Sequence, residues 1–149
     1  MKIEGDLGIY TADDALIYKG VTSVGGNLYI DADAKLDALT SVGGNLYIYA
    51  DAKLDALTSV GGYALPSAEE TEKNLRRIAP LALAEGALEM RAWHCGTSHC
   101  LAGWGQKEIL GIENDGTASL DGTRVLGIEA AKHFHVSDEK AREFLGQYI

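Results

Sequence analysis

Proline is nearly missing from this chain, with only Pro66 and Pro80. Regular structure therefore meets few built-in stops, and Pro66 reads as a boundary. Cysteine is as scarce. Cys95 and Cys100 stand alone, too few for a secreted disulfide framework. No apolar run approaches the roughly 18 residues that a membrane-spanning helix requires. The opening "MKIEGDLGIY" lacks the basic region and apolar run of a secretory signal. The cytoplasm is the expected compartment, and no membrane partner is expected. Basic residues are outnumbered, 13 Lys and Arg against 22 Asp and Glu, for a net charge of −9. That excludes a nucleic-acid reader that works by neutralising phosphates. It suits a basic partner, or imitation of a nucleic acid's negative surface.

What is present is a repeat. "TSVGG" stands at 22–26, 40–44 and 58–62, a period of 18 residues. Residues 26–43 and 44–61 agree at 17 of 18 positions, the exception being Asp31 against Tyr49. Near-identity at a fixed period means copies of one structural unit laid against each other. Eighteen residues is short for a helix pair, whereas "NLYIYA" alternates as a strand does. "VGG" and "ADAK" read as turns. The expected inward stacks are Leu28 on Leu46, Ile30 on Ile48, Leu36 on Leu54, Leu39 on Leu57, and Val24 on Val42 on Val60. Gly25, Gly26, Gly43 and Gly44 are expected to turn corners at positive φ. "KIEGDLGI" looks like a decayed first copy, with three extra residues between Gly5 and Gly26.

The phrase "LTSVGGNLYI" resembles the leucine-rich-like coils of bacterial β-solenoid proteins, similar in style to receptor L-domains, over residues 1–66. That resemblance implies protein binding. The expected fold is α+β: a short parallel β-solenoid of about three coils over 1–66, capped by a small, mainly α-helical domain over 67–149. Outside the stacks lie Asp33 and Asp51, Asp37 and Asp55, with Lys35 and Lys53 between them. They read as solvated turns or as an acidic stripe for a basic protein. Tyr29 and Tyr47 should stack on the outer side, as part of a partner surface or as packing for the attached second domain.

In the second half, Ser67 and Glu70 form a capping-box signature for a helix over 68–83. Pro80 is expected to kink or split it, and Gly86 to end it. A second helix is expected over 124–134 and a third after Ser137. "ENDGTASLDGT" reads as a glycine-rich loop or a hairpin around Asp115 and Gly116.

The chemically loaded segment is "RAWHCGTSHCLAGW", 91–104. Four readings stand open. Thr97 caps a helix starting near Ser98, with Trp93, Cys100, Leu101 and Trp104 as core. His94, Cys95, His99 and Cys100 hold zinc, with His133 and His135 as a second pair. Cys95 and Cys100 form a disulfide. Or Cys100, third in that helix and near His99 or His94, is a nucleophile of lowered pKa. "WHCGTSHCLAGW" followed by "AAKHFHVSDEKAREFL" resembles a group of small bacterial and phage-type proteins carrying W-x-C-x-T-x-x-C-x-A-G-W, over about 88–145. The resemblance implies a bacterial, phage or mobile-element origin and no reaction.

The functional expectation is a non-enzymatic interaction module, an inhibitor or nucleic-acid mimic acting in a bacterial or phage-infected cell. Its binding residues would be Tyr29, Tyr47, Asp33, Asp51, Asp37 and Asp55. Its partner would be a protein, basic or itself nucleic-acid-binding, with no direct nucleic-acid contact. No cofactor is expected, zinc being the one metal considered. No catalytic set stands out beyond Cys100 and His99. The alternatives are a thiol- or zinc-dependent activity at Cys95 and Cys100, and structural self-association into a homo-oligomer.

Overall fold

The 18-residue period reappears as hydrogen-bonded register. The computed structural model describes residues 1–96 and 98–149; Thr97, the cap named above, lies outside the described residues. The chain divides into two units, Met1–Leu65 and Pro66–Ile149.

The first unit begins with β1 (Lys2–Ile3), β2 (Leu7–Ile9) and the helix α1 (Ala12–Ile17). It continues with β3 (Ser23–Val24), β4 (Leu28–Ile30), β5 (Ala34–Lys35), β6 (Ser41–Val42), β7 (Leu46–Ile48), β8 (Ala52–Lys53), β9 (Ser59–Val60) and β10 (Tyr63–Ala64). Three small sheets result, in the orders β1-β3-β6-β9-β10, β2-β4-β7 and β5-β8. Leu28 pairs with Leu46, Ile30 with Ile48, and Val24 with Val42 and then Val60, all parallel. These side chains are buried, as are Leu36, Leu39, Leu54 and Leu57. Burying each contributes about 1.5–3 kcal/mol, which short strands need because they make few ladder bonds.

Side chains also bond from copy to copy. The Thr22, Thr40 and Thr58 hydroxyls donate to the carbonyls of Met1, Thr22 and Thr40 at 3.0, 3.1 and 3.1 Å. The Asp6 carboxylate accepts the Asn27 amide at 2.7 Å, and Asn27 Oδ1 accepts the Asn45 amide at 2.8 Å. The Asp33 carboxylate accepts the Asp51 amide at 3.0 Å. Backbone donors at the corners thus find acceptors one copy earlier.

The fold differs from the expected one. The chain is mixed α/β, with several small sheets of two- and three-residue strands and helices in both units, rather than a three-coil β-solenoid under a mainly helical cap. The extra residues before Gly26 carry α1, started by a capping box between Thr11 and Asp14. Gly61 and Gly62, at φ 63° and 82°, reverse the chain so that β10 runs antiparallel to β9. Positive φ is absent at Gly25, Gly26, Gly43 and Gly44. Gly25 and Gly43 are needed for another reason: a Cβ would run into the carbonyl oxygens of Glu4 and Gly25 beneath them.

The second unit holds α2 (Ala68–Ala82), the hairpin β11 (His94–Cys95) and β12 (Ser98–His99), α3 (Leu101–Gly105), a π-helical turn (Gln106–Leu110), α4 (Ala118–Ala131) and α5 (Asp138–Gly146). Ser67 Oγ accepts the Glu70 amide at 3.1 Å, and Leu75, Ile78, Ala79 and Ala82 form the buried face of α2. The helix runs on through exposed Pro80 to Ala82 instead of splitting there. The expected loop around Asp115 is shorter than foreseen, since α4 already begins at Ala118. Gly127, at φ 83°, breaks α4, and Asn74 Nδ2 donates to the Val125 carbonyl near the break at 2.8 Å. Ser137 caps α5, burying Ala141, Phe144 and Leu145. Among the described residues no helix is long and apolar enough to cross a membrane.

Candidate functional site

The antiparallel hairpin β11–β12 places His94 opposite His99 and Cys95 opposite Ser98. Gly96 turns it at φ 61°. Cross-strand partners share a face, so the two imidazoles meet. Their Nδ1 atoms are 2.7 Å apart and their rings lie edge to face at 4.8 Å. The backbone of His99 is pinned: its N–H donates to the Ala87 carbonyl at 3.1 Å, and its carbonyl accepts the Glu89 amide at 3.0 Å. The Trp104 ring stands edge-on to His99 at 4.8 Å, while its indole N–H donates to the Ala87 carbonyl at 2.8 Å. His99 is fully buried.

Helix α3 begins later than expected. Ser98 and His99 are strand, and Cys100 is the N-cap. Its Sγ accepts the Gly103 amide at 3.3 Å. Burial pushes the thiol pKa up to about 11, the hydrogen bonds from Gly103 and Ala102 opposing without prevailing. A low-pKa nucleophile at Cys100 is therefore corrected: desolvation outweighs the helix N-terminus. Both cysteines are free, Cys95 exposed and Cys100 buried, so no disulfide joins them.

Gln106 opens the π-helical turn, a rare geometry frequent at functional sites. It is fully buried and orders its surroundings. Its Nε2 donates to the Asn114 carbonyl, Thr117 Oγ1 and Asp121 Oδ2 at 3.0, 3.1 and 2.9 Å. Its Oε1 accepts the Asn114 amide at 3.0 Å and lies 2.7 Å from His94 Nε2. Gly111, at φ 73°, ends the turn and releases an exposed loop that carries Glu113 back to the histidines. Glu113 Oε1 lies 3.7 Å from His99 Nε2 and 3.9 Å from His94 Nδ1.

Of the four zinc candidates, the structure brings together His94 and His99, and adds Glu113. Among the described residues this is the one group of three His, Cys, Asp or Glu side chains whose ligand atoms lie within 4.8 Å of one another. Cys95 and Cys100 fall outside it. His133 stacks on Phe144 and His135 stands edge-on to Trp93, so neither forms a second ligand pair there.

The expected binding residues lie in the first unit. Tyr29 and Tyr47 stack at 5.1 Å with an 11° interplanar angle. Tyr49 is 53% exposed, and its hydroxyl pKa is raised by burial and by Asp31, Tyr47 and Tyr29 beside it. The Tyr10 ring covers Gly8, the register partner of Tyr29, filling the place a side chain there would take. Asp33, Asp37, Asp51 and Asp55 are exposed. Asp33 also serves the fold through its bond to Asp51.

No family model matches this chain, and no curated protein or solved structure matches it.

Proposed function

We propose that the chain is a non-enzymatic protein-interaction module whose tyrosine face receives an arginine-bearing segment of a basic protein. One observation carries the reading: the Tyr29–Tyr47 stack, extended by exposed Tyr10 and Tyr49 and edged by Asp31. Aromatic faces attract guanidinium groups, and adjacent carboxylates add directional hydrogen bonds. The first unit carries nine carboxylates against four lysines, so the long-range field favours a basic partner. Nucleic-acid-binding proteins present such basic segments, and occupying one makes the module an inhibitor.

The test is fluorescence anisotropy with a labelled arginine-rich peptide and a lysine peptide of equal charge. The arginine peptide should bind more tightly, salt should weaken both, and Tyr47→Ala with Tyr49→Ala should weaken the arginine peptide about tenfold or more. Equal binding of both peptides, untouched by the tyrosine substitutions, would reduce the face to a diffuse negative field and end the proposal. So would a sedimentation result in which the wild type is a dimer and the tyrosine variant a monomer.

A further inference from the structure

Proton positions around His94 and His99 follow from their partners. The Gln106 amide is oriented by three acceptors around Nε2 and the Asn114 amide at Oε1. Oε1 is an acceptor, so His94 Nε2 carries the proton. A neutral His94 then has its lone pair on Nδ1, and that atom accepts the proton of His99 Nδ1. The remaining lone pair, on His99 Nε2, has no hydrogen-bond partner among the described residues and is wholly buried. It faces the Glu113 carboxylate at 3.7 Å. Two electron-pair donors, the histidine nitrogen buried and the carboxylate half-exposed, confront each other without the cation that would satisfy both.

We infer that His94, His99 and Glu113 form a binding site for a divalent transition-metal ion, zinc being the ion their donors suit. Two imidazoles and a carboxylate match zinc, cobalt and iron(II) better than calcium or magnesium, which take all-oxygen sites. Ligand atoms about 2.1 Å from a tetrahedral ion lie about 3.4 Å apart. The three ligand atoms lie within 4.8 Å of one another, so the imidazoles must shift as their Nδ1–Nδ1 bond opens, while the contacts of 3.7 and 3.9 Å to Glu113 need a smaller closure. Glu113 can supply it, because its side chain is 48% exposed and rides on the loop after Gly111. Loading exchanges the Nδ1–Nδ1 hydrogen bond for nitrogen–metal bonds. The proton on His94 Nε2 stays with Gln106, an outer partner that fixes the tautomer a metal requires. Three protein ligands leave a fourth position open, on the side where Glu113 meets solvent.

The experiment uses the full chain stripped with EDTA. Zinc chloride is titrated calorimetrically, and cobalt(II) is followed by its visible absorption. The expected result is saturation at one ion per chain, with cobalt bands of a nitrogen–oxygen site and no thiolate charge transfer. Glu113→Gln, at an exposed position, should fold normally and weaken zinc about tenfold or more. Cys95→Ser should change nothing. His99→Ala should abolish binding, with circular dichroism reporting whether it folds. Absence of saturable binding, unchanged affinity in Glu113→Gln, or a thiolate band lost with Cys95→Ser would each overturn the inference.

Discussion

Asn27 holds Asn45 across one repeat. Its side-chain oxygen accepts the Asn45 backbone proton at 2.8 Å, and its own amide is received by Asp6 at 2.7 Å. Each copy therefore finishes the corner of the next. Asn27→Ala should leave the Asn45 amide without its acceptor and lower stability by about 1–2 kcal/mol in urea unfolding. Asp37→Ala, at an exposed turn, should stay within about 0.5 kcal/mol.

Gly43→Ala tests close approach. The new methyl would meet the Gly25 carbonyl oxygen directly below. The expected loss is about 1–3 kcal/mol, the usual range for overpacking. Gly5→Ala, with open space around the added carbon and no positive φ, should be nearly neutral. Equal losses at both would mean that the stacked glycines serve something other than backbone contact.

Cys100 should be silent to a thiol reagent in the native protein. One equivalent should react, from exposed Cys95, and a second only on unfolding. The same burial predicts an alkaline limb. The unfolded thiol ionises near its ordinary 9.0 while the folded one holds its proton to about 11. The folded state thus binds more protons, so stability should fall as pH rises from 9 to 11, by up to about 3 kcal/mol. The difference in unfolding free energy between wild type and Cys100→Ala should carry that slope.

An acid limb is expected as well. Burial is the first cause holding His99 and His135 below their ordinary 6.5. Below that pH the unfolded chain takes up protons that the folded chain refuses, so stability should fall as pH falls. Urea unfolding in EDTA at about pH 7.5 and 5.5 measures it. A flat profile would show that these rings are hydrated in the folded state.

The period of the sequence was enough to pair Leu28 with Leu46 and Val24 with Val42, because identical copies bury the same positions. Ser67 and Ser137 announced their helices, since a cap and its amide are neighbours in the chain. The helix α1 was legible in principle: "TADD" carries the cap and the carboxylate three residues on. The site was not. Glu113 and Gln106 lie in stretches with no pattern of their own, and they join His94 only because a π-helical turn and Gly111 bring the loop back. The four readings of the thiol could not be separated for a similar reason. Whether a helix terminus or burial governs Cys100 depends on the whole surrounding fold: the nearby Gly103 and Ala102 amides lower the thiol pKa, and desolvation by the packed unit outweighs them.

The bonds from Thr40 to Thr22, Thr58 to Thr40 and Asn45 to Asn27 all span one period. Each copy accordingly offers its successor the same acceptors that its predecessor offered it. A gene encoding such a segment can gain or lose whole copies by unequal recombination, and the lengthened or shortened protein meets matching partners at every junction. Slippage by any other length places a threonine over an alanine, or an asparagine over a leucine. Copy number in this half of the molecule is thereby open to variation over generations, while the length of a copy is not.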